Sequence, residues 1–322
     1  MRISPNHESV RLTGRWHLDA AGAVTTATGG TIEIAVCGEF IELFFNTDMN
    51  MEPVPHIWIG IDDGPRVESV VQRVLRVEFS DAGPHLIRVI YKGAVESQHR
   101  WYPPLIGKLH FIGYEATSPA LLPPDDRPII EFIGDSITEG QQIDAEHEFS
   151  PILADNYTFQ NDAAASYGWQ TAKLLGMCPR LIGYGCLGAT HGGRGGVPIA
   201  SEAYPYNFSG SPVSSFDASV IVVNLGANDR NRSEEEYIRE YRSLLAVIRQ
   251  HNPAAKLVVL SAFCVVYPAA LRAMVDAVNR ETGDSIVFLD SAGWVPPEPL
   301  HPGRDAHRHI AEKLAAALRP LL

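Results

Sequence analysis

Residues 129–140 read IIEFIGDSITEG, and this stretch decides the fold of the second half of the chain. Its first five residues form a mainly apolar run that stops at Gly134, which is typical of a buried strand in a parallel sheet. Asp135 and Ser136 follow where this strand ends. Open α/β sheets bind ligands at the carboxyl ends of their strands, so Ser136 is well placed for chemistry. The stretch alone leaves a structural alternative open, in which Ser136 only caps a helix that begins at Ile137.

The sequence after this stretch alternates predicted strands with predicted helices. Such alternation indicates a parallel sheet with helices on both faces. One helix is marked by a capping box, Ser233 with Glu236, and is ended by Asn252 and Pro253. The predicted strands are 129–133, 181–184, 219–225, 257–260 and 285–289, and the predicted helices are 166–175, 233–251, 268–282 and 304–318.

From about residue 13 to residue 114 the hydrophobic pattern has a period of two instead. Turn-forming residues separate several of the alternating segments, for example Cys37 with Gly38, and DDGP at 62–65. Short strands at this spacing predict an all-β sandwich of the jelly-roll type. The alternating segments are 31–36, 40–45, 56–61, 74–79, 85–91 and 109–114.

A proline-rich stretch separates the two patterns. Residues 118–128 read SPALLPPDDRP, and their prolines disfavour both helix and central strand. We therefore expect a β-domain at 1–120, a linker at 121–128 and an α/β domain at 129–322. The length of 322 residues is about twice that of a usual single domain, which fits two domains.

The composition excludes several classes of function. The formal net charge of -12 disfavours nucleic acid and anionic lipid as partners. The sequence contains no apolar run of about 18 residues, so we expect no membrane span. The four cysteines lie far apart and form no C-x-x-C pair, which disfavours a metal or redox site. The first ten residues, MRISPNHESV, lack the apolar stretch of a signal peptide, and we therefore expect a cytoplasmic protein.

Three further loops follow predicted strands and would lie at the same edge of the sheet as Ser136. Two of them are GCLGAT at 185–190 and GANDR at 226–230, and the third contains His301. A serine hydroxyl attacks a carbonyl only when a base removes its proton, and histidine is the usual base near neutral pH. The attack creates an oxyanion, which backbone N–H groups of a glycine loop and the amide of Asn228 can stabilise.

These segments resemble the four blocks of the SGNH (GDSL-type) hydrolases, in the chain order of that family. The blocks are GDSI around Ser136, the glycine loop that ends at Gly188, GAND around Asn228 and LHP around His301. The resemblance covers residues 128–322 and implies a flavodoxin-like, three-layer fold with a parallel sheet. It implies Ser136 as the nucleophile and His301 as the base. The oxyanion donors would be the N–H groups of Ser136 and Gly188 and the side chain of Asn228.

The two-domain layout also resembles carbohydrate esterase family two, whose members remove acetyl groups from sugars. This resemblance implies a serine esterase that hydrolyses short-chain, acetyl esters of sugars or oligosaccharides through an acyl-serine, without a cofactor or metal. The β-domain would bind carbohydrate or shape the substrate site. Two alternatives stay open. One is a general short-chain carboxylesterase that acts on non-sugar esters, and the other is a carbohydrate-binding protein with an inactive hydrolase domain.

The third member of the triad departs from the family pattern. Members of the family usually have an aspartate three residues before the histidine, and this chain has Glu298 there, inside the sequence PPEPL. Glutamate is longer by one methylene group, and Pro297 and Pro299 restrict the loop. Two arrangements stay open: Glu298 orients His301, or the site is a serine–histidine dyad whose histidine is oriented by a backbone carbonyl.

Aromatic side chains are candidates for stacking on a sugar ring. Trp294 is the strongest candidate because its loop also contains His301, and Trp169 is the second. Packing in the core is the structural alternative for both.

Other polar side chains near these motifs are assigned structural roles. Asp135 and Ser136 are neighbours, and the side chains of neighbouring strand residues point to opposite faces, so we expect Asp135 only to make structural hydrogen bonds. His301, His307 and His309 do not have the spacing of a metal site on a helix, and we expect the last two to be core or solvated residues.

Overall fold

The computed structural model of the protein describes residues 2–145 and 158–322. The N-terminal part is a β unit made of one antiparallel sheet. Its nine strands are β1 (Val10–Thr13), β2 (His17–Asp19), β3 (Gly22–Thr25), β4 (Thr31–Phe45), β5 (His56–Ile61), β6 (Val67–Val70), β7 (Val74–Glu78), β8 (Pro84–Gly93) and β9 (Leu109–Pro119).

Strand β4 determines the shape of this unit. Its first half pairs with β1 and β8, its second half pairs with β7, and β9 pairs with residues of both halves. The predicted turn at Cys37 and Gly38 is wrong, because Gly38 adopts φ 143° and lets the strand continue through an irregularity in its register with β9. The structure therefore shows one continuous antiparallel sheet through β4, and the predicted all-β sandwich stays a prediction. Alternate residues of β4, Ile32, Ile34 and Val36, enter one apolar core with residues of β5, β8 and β9.

The C-terminal part is an α/β unit whose five-stranded parallel sheet has the order β11-β10-β14-β15-β16. This is the flavodoxin-like order, as predicted, and its switch point lies between β10 and β14. The strands of this sheet are β10 (Ile129–Gly134), β11 (Cys178–Gly183), β14 (Val220–Asn224), β15 (Lys256–Leu260) and β16 (Val287–Leu289), and a small antiparallel pair is formed by β12 (Tyr206–Phe208) and β13 (Ser211–Pro212).

Helices cover both faces of this sheet and complete three layers. Helices α4 and α5 pack in one apolar cluster, and α2 and α6 pack in another on the opposite face. The predicted cap of α4 is present, since Ser233 Oγ accepts a hydrogen bond from the N–H of Glu236 at 3.2 Å. The helices are α1 (Ser136–Glu139), α2 (Tyr167–Leu175), α3 (Ala200–Ala203), α4 (Glu234–His251), α5 (Pro268–Thr282) and α6 (Arg304–Leu318).

In the two described ranges, no helix has both the length and the apolar character that crossing a lipid bilayer requires.

Two buried arginines of the β unit form ion pairs with the α/β unit. Arg15 Nη2 lies 3.3 Å from both carboxylate oxygens of Glu131 in β10. Arg100 is fully buried and pairs with Glu139 in α1, with Nη2 at 3.3 Å from Oε2. Because unpaired buried charges are costly, these pairs make each unit depend on the other.

Candidate active site

Ser136 lies just beyond the carboxyl end of β10 and is the first residue of α1. Gly134 is needed there because a Cβ at this position would lie 2.0 Å from Thr138 Oγ1. Asp135 is the helix cap, and its Oδ1 accepts a hydrogen bond from the N–H of Ile137 at 2.9 Å. Asp135, rather than Ser136, therefore caps this helix. The same contact is a structural hydrogen bond of the kind predicted for Asp135.

The Ser136 hydroxyl meets the ring of His301. The distance from Ser136 Oγ to His301 Nε2 is 2.8 Å, which is a hydrogen bond across 165 positions of sequence. His301 lies between β16 and α6, directly before the buried Pro302, and its ring is half-buried. The structure thus brings together the two residues that the sequence names as nucleophile and base.

The other ring nitrogen of His301 faces a residue that the sequence analysis missed. Gln142 Oε1 lies 2.9 Å from His301 Nδ1. Glu298, the predicted orienting residue, is exposed and makes no hydrogen bond or ion pair with any residue that the structure describes. Its neighbours Pro297 and Pro299 are exposed as well, so this segment runs along the surface and leaves the carboxylate in solvent. The prediction for Glu298 is therefore corrected.

Two of the three predicted oxyanion donors are available in this geometry. The Asn228 amide carries two N–H bonds, and within the described ranges only one is used, in a hydrogen bond to the Leu187 carbonyl at 2.9 Å. The Ser136 N–H makes no hydrogen bond to another residue in the described ranges. Gly188 differs from the prediction, because its N–H donates to the His191 carbonyl of the same loop at 2.8 Å.

Asp229 anchors the loop that contains Gly188. Its fully buried carboxylate accepts hydrogen bonds from the N–H of Ala189 at 3.1 Å, the N–H of Thr190 at 2.8 Å and Thr190 Oγ1 at 2.6 Å. A Cβ at Gly188 would lie 2.6 Å from Asp229 Oδ1, so only glycine fits there. Asp229 has no role predicted from the sequence, although its position next to Asn228 could have marked it as a residue of this site.

The two predicted sugar platforms have different surroundings. Trp169 is 8% exposed and packs against Leu181 in the core. It borders a cleft of about 270 Å³ whose walls include Cys178 and Pro179, at the amino end of β11, whereas Ser136 follows the carboxyl end of β10. The prediction that Trp169 binds substrate is therefore wrong. Trp294 is half-buried beside the apolar cluster that includes Leu300, and its role stays a prediction.

Burial changes the protonation of two side chains near the site. It raises the pKa of the Asp135 carboxyl to about 7 and lowers the pKa of the His307 imidazole to about 3. His307 Nδ1 accepts a hydrogen bond from the Tyr167 N–H at 2.9 Å, so His307 is a neutral core residue, one of the two outcomes expected for it.

Solved structures of similar fold cover the whole chain. A family two carbohydrate esterase from Cellvibrio japonicus has a TM-score of 0.82 at 20% identity, over 100% of this chain and 97% of that chain. An acetyl xylan esterase from the rumen bacterium Butyrivibrio proteoclasticus has a TM-score of 0.81 at 19% identity, over 98% and 96%. A family two carbohydrate esterase from Clostridium thermocellum, in complex with cellohexaose, has a TM-score of 0.80 at 21% identity, over 97% and 98%. At these identities the comparison establishes the shared fold.

The sequence comparison identifies the family. No curated protein sequence matches the chain. Residues 132–321, which are more than half of the chain and include Ser136, Asn228 and His301, match the GDSL-like lipase/acylhydrolase family. The chain therefore belongs to the GDSL-like lipase/acylhydrolase family and is a carboxylic ester hydrolase.

Proposed function

We propose that this protein hydrolyses short-chain esters, chiefly acetyl esters of sugars or oligosaccharides, through an acyl-Ser136 intermediate. The observation that carries the proposal is the hydrogen bond of 2.8 Å between Ser136 Oγ and His301 Nε2 at the carboxyl edge of the parallel sheet. The acetyl and sugar specificity is supported by the full-length fold shared with carbohydrate esterases, one of which is an acetyl xylan esterase.

The geometry supports a two-step acyl transfer. His301 Nε2 takes the proton of the Ser136 hydroxyl as Oγ bonds to the ester carbonyl carbon, and the carbonyl oxygen becomes an oxyanion. In this proposal the Ser136 N–H and the second N–H of Asn228 stabilise this charge. The tetrahedral intermediate expels the alcohol, which receives the proton from His301. Water then repeats the sequence on the acyl-serine, releasing the acid and restoring the Ser136 hydroxyl.

The first test replaces the nucleophile and one oxyanion donor. We expect Ser136→Ala to lower kcat by about 10⁶-fold, because the nucleophile is lost. Asn228→Ala should lower kcat by about 10²- to 10³-fold, since one donor to the oxyanion is removed. The measurement is release of acetate from acetylated xylo-oligosaccharides and from an aryl acetate. Ser136→Ala activity equal to that of the parent enzyme would exclude an acyl-Ser136 intermediate.

A substrate panel separates the proposal from its alternatives. Acetylated oligosaccharides should be hydrolysed with a higher kcat/KM than aryl esters or longer acyl chains, and the reverse order would identify a general short-chain carboxylesterase. A phosphonate probe should label Ser136 covalently. Binding of oligosaccharide without labelling of Ser136 would instead indicate a carbohydrate-binding protein with an inactive hydrolase unit.

A further inference from the structure

Both nitrogens of the His301 ring have hydrogen-bond partners among the described residues, and the partner of Nδ1 is an amide oxygen. Nε2 lies 2.8 Å from Ser136 Oγ, and Nδ1 lies 2.9 Å from Gln142 Oε1. We propose that Gln142 is the positioning residue of this site, which makes it a Ser136–His301–Gln142 arrangement with a neutral third member. The proposal deepens the ester hydrolysis proposed above and rests on it.

The chemistry of the amide oxygen sets the tautomer of the ring. A carbonyl oxygen only accepts hydrogen bonds, so its contact with Nδ1 requires the proton on that nitrogen. Nε2 is then left with a lone pair, which is the form that can take the proton from Ser136. Gln142 thus performs the orienting and tautomer-selecting part of the usual carboxylate role, without its negative charge.

The backbone of Gln142 supports a specific role. Gln142 has φ 54°, in the left-handed region that a residue with a side chain rarely adopts. Such a conformation is strained and persists only where the surroundings enforce it. The backbone is held here by hydrogen bonds that include one of 2.8 Å from the Gln142 N–H to Asn161 Oδ1.

This contact extends into the β unit. Asn161 is buried, and its Nδ2 donates to the Ala94 carbonyl at 2.9 Å, directly after β8. A Cβ at Gly93 would lie 2.6 Å from Asn161 Cβ, so the two segments are in close contact. On the other side of Gln142, the Ile143 carbonyl accepts a hydrogen bond of 3.1 Å from the Arg304 N–H, which is the first residue of α6. Gln142 is therefore held between the β unit and the segment that follows His301.

Because Gln142 is uncharged, replacing its amide with a carboxylate should change the pKa of His301. A negative charge beside an imidazole raises its pKa, by about one unit or more. His301 must be neutral to act as a base, so a higher pKa moves the acid limb of the kcat/KM profile to higher pH. Among the described residues, His307 interacts electrostatically with His301. Glu298 and Arg304 each lie three positions from His301 in sequence, Asp135 directly precedes Ser136, and Arg304 is paired with Asp144 and Asp162.

Three variants test the role of Gln142. Gln142→Gly removes the amide while relieving the left-handed backbone, so we expect an intact fold and a kcat lower by about 10²-fold. Gln142→Glu should retain most of the parent activity and shift the acid limb upward by about one pH unit. Glu298→Gln, as the matched control at the position predicted from sequence, should change kcat by less than about threefold.

The readouts separate this proposal from the proposed function. We would measure kcat and kcat/KM against pH, and the pKa of His301 by NMR, with circular dichroism to check the fold. Parent-like kinetics and His301 pKa in both Gln142 variants, or a loss of about 10⁴-fold in Glu298→Gln, would overturn the positioning role. A His301 pKa that rises in Gln142→Glu, in a protein that hydrolyses no ester, would support the positioning role and reject the ester hydrolysis.

Discussion

The His307 ring shows what burial does to a single titratable residue. It is fully buried and stacks on Tyr167 at a ring-centroid distance of 6.1 Å. The burial lowers its pKa from 6.5 to about 3, and the nearby His301 and Arg304 act in the same direction. The folded chain therefore keeps this histidine neutral at pH values where the unfolded chain protonates it.

We predict that this single residue makes folding depend on pH. The folded pKa is depressed, so its stabilising effect is complete above about pH 6.5 and is lost as the pH falls toward about 3. The loss is about 1.4 kcal/mol per pH unit, up to about 5 kcal/mol. Calorimetry of the parent and of His307→Gln from pH 8 to about pH 3 would measure it. The difference in unfolding free energy between the two should shrink with falling pH, and a constant difference would contradict the prediction.

At the scale of elements, residues of the β unit contact the last residue of the short helix α1, which is Glu139. Glu139 is 1% exposed and Arg100 is fully buried, and the Arg100 guanidinium also lies 5.2 Å from the Tyr184 ring. Thr28 Oγ1 adds a hydrogen bond to the Glu139 carbonyl at 3.2 Å. Because Ser136 starts the same helix, these contacts restrict the position of Ser136.

We expect the Arg100–Glu139 pair to show strong coupling. Arg100→Met leaves a buried carboxylate unpaired and should lower the free energy of unfolding by about 3–5 kcal/mol. Adding Glu139→Leu should recover much of this loss, which a double-mutant cycle in urea measures. The exposed pair Arg242–Glu281 is the control, and Arg242→Met should cost less than about 1 kcal/mol. Additive losses at Arg100 and Glu139 would show that the pair is not coupled.

At the scale of the whole molecule, the two units are joined by buried polar contacts. The β unit supplies Arg15 and Arg100 to two buried carboxylates, and the Ala94 carbonyl to Asn161. The segment between β9 and β10, residues 120–128, contains neither helix nor strand. The β unit therefore holds the segments that carry Ser136 and Gln142 through buried contacts. We propose that the expected domain division at 1–120 and 129–322 describes sequence segments more than independent bodies.

Removing the β unit should therefore abolish activity. In a fragment of residues 120–322, Glu131 and Glu139 lose their arginine partners and the interface is exposed to water. We expect the fragment to be insoluble or at least about 10²-fold less active on an aryl acetate. Co-expression with residues 1–119 should restore activity. A soluble, fully active fragment would show that the buried contacts are dispensable.

Local sequence determined most of the secondary structure of the α/β unit. Apolar runs, helix caps and glycine stops predicted all five parallel strands and the four longer helices within a few residues, because each signal depends on neighbouring residues. Ser136 and His301 could be named because each follows a predicted strand and parallel strands end at one edge.

Tertiary structure alone decided which groups meet those two residues. Gln142 rather than Glu298 contacts His301, the Gly188 N–H donates within its own loop, and Trp169 packs away from the site. The continuation of β4 past Gly38 and the arginines that pair across the two units were likewise decided by tertiary structure. All of these features depend on the path of a loop or on contact between residues that are distant in sequence. Loop paths and long-range contacts leave no periodic pattern in the sequence. A short hydrophobic or turn motif encodes an element, whereas the partner of a side chain is set only when the elements pack.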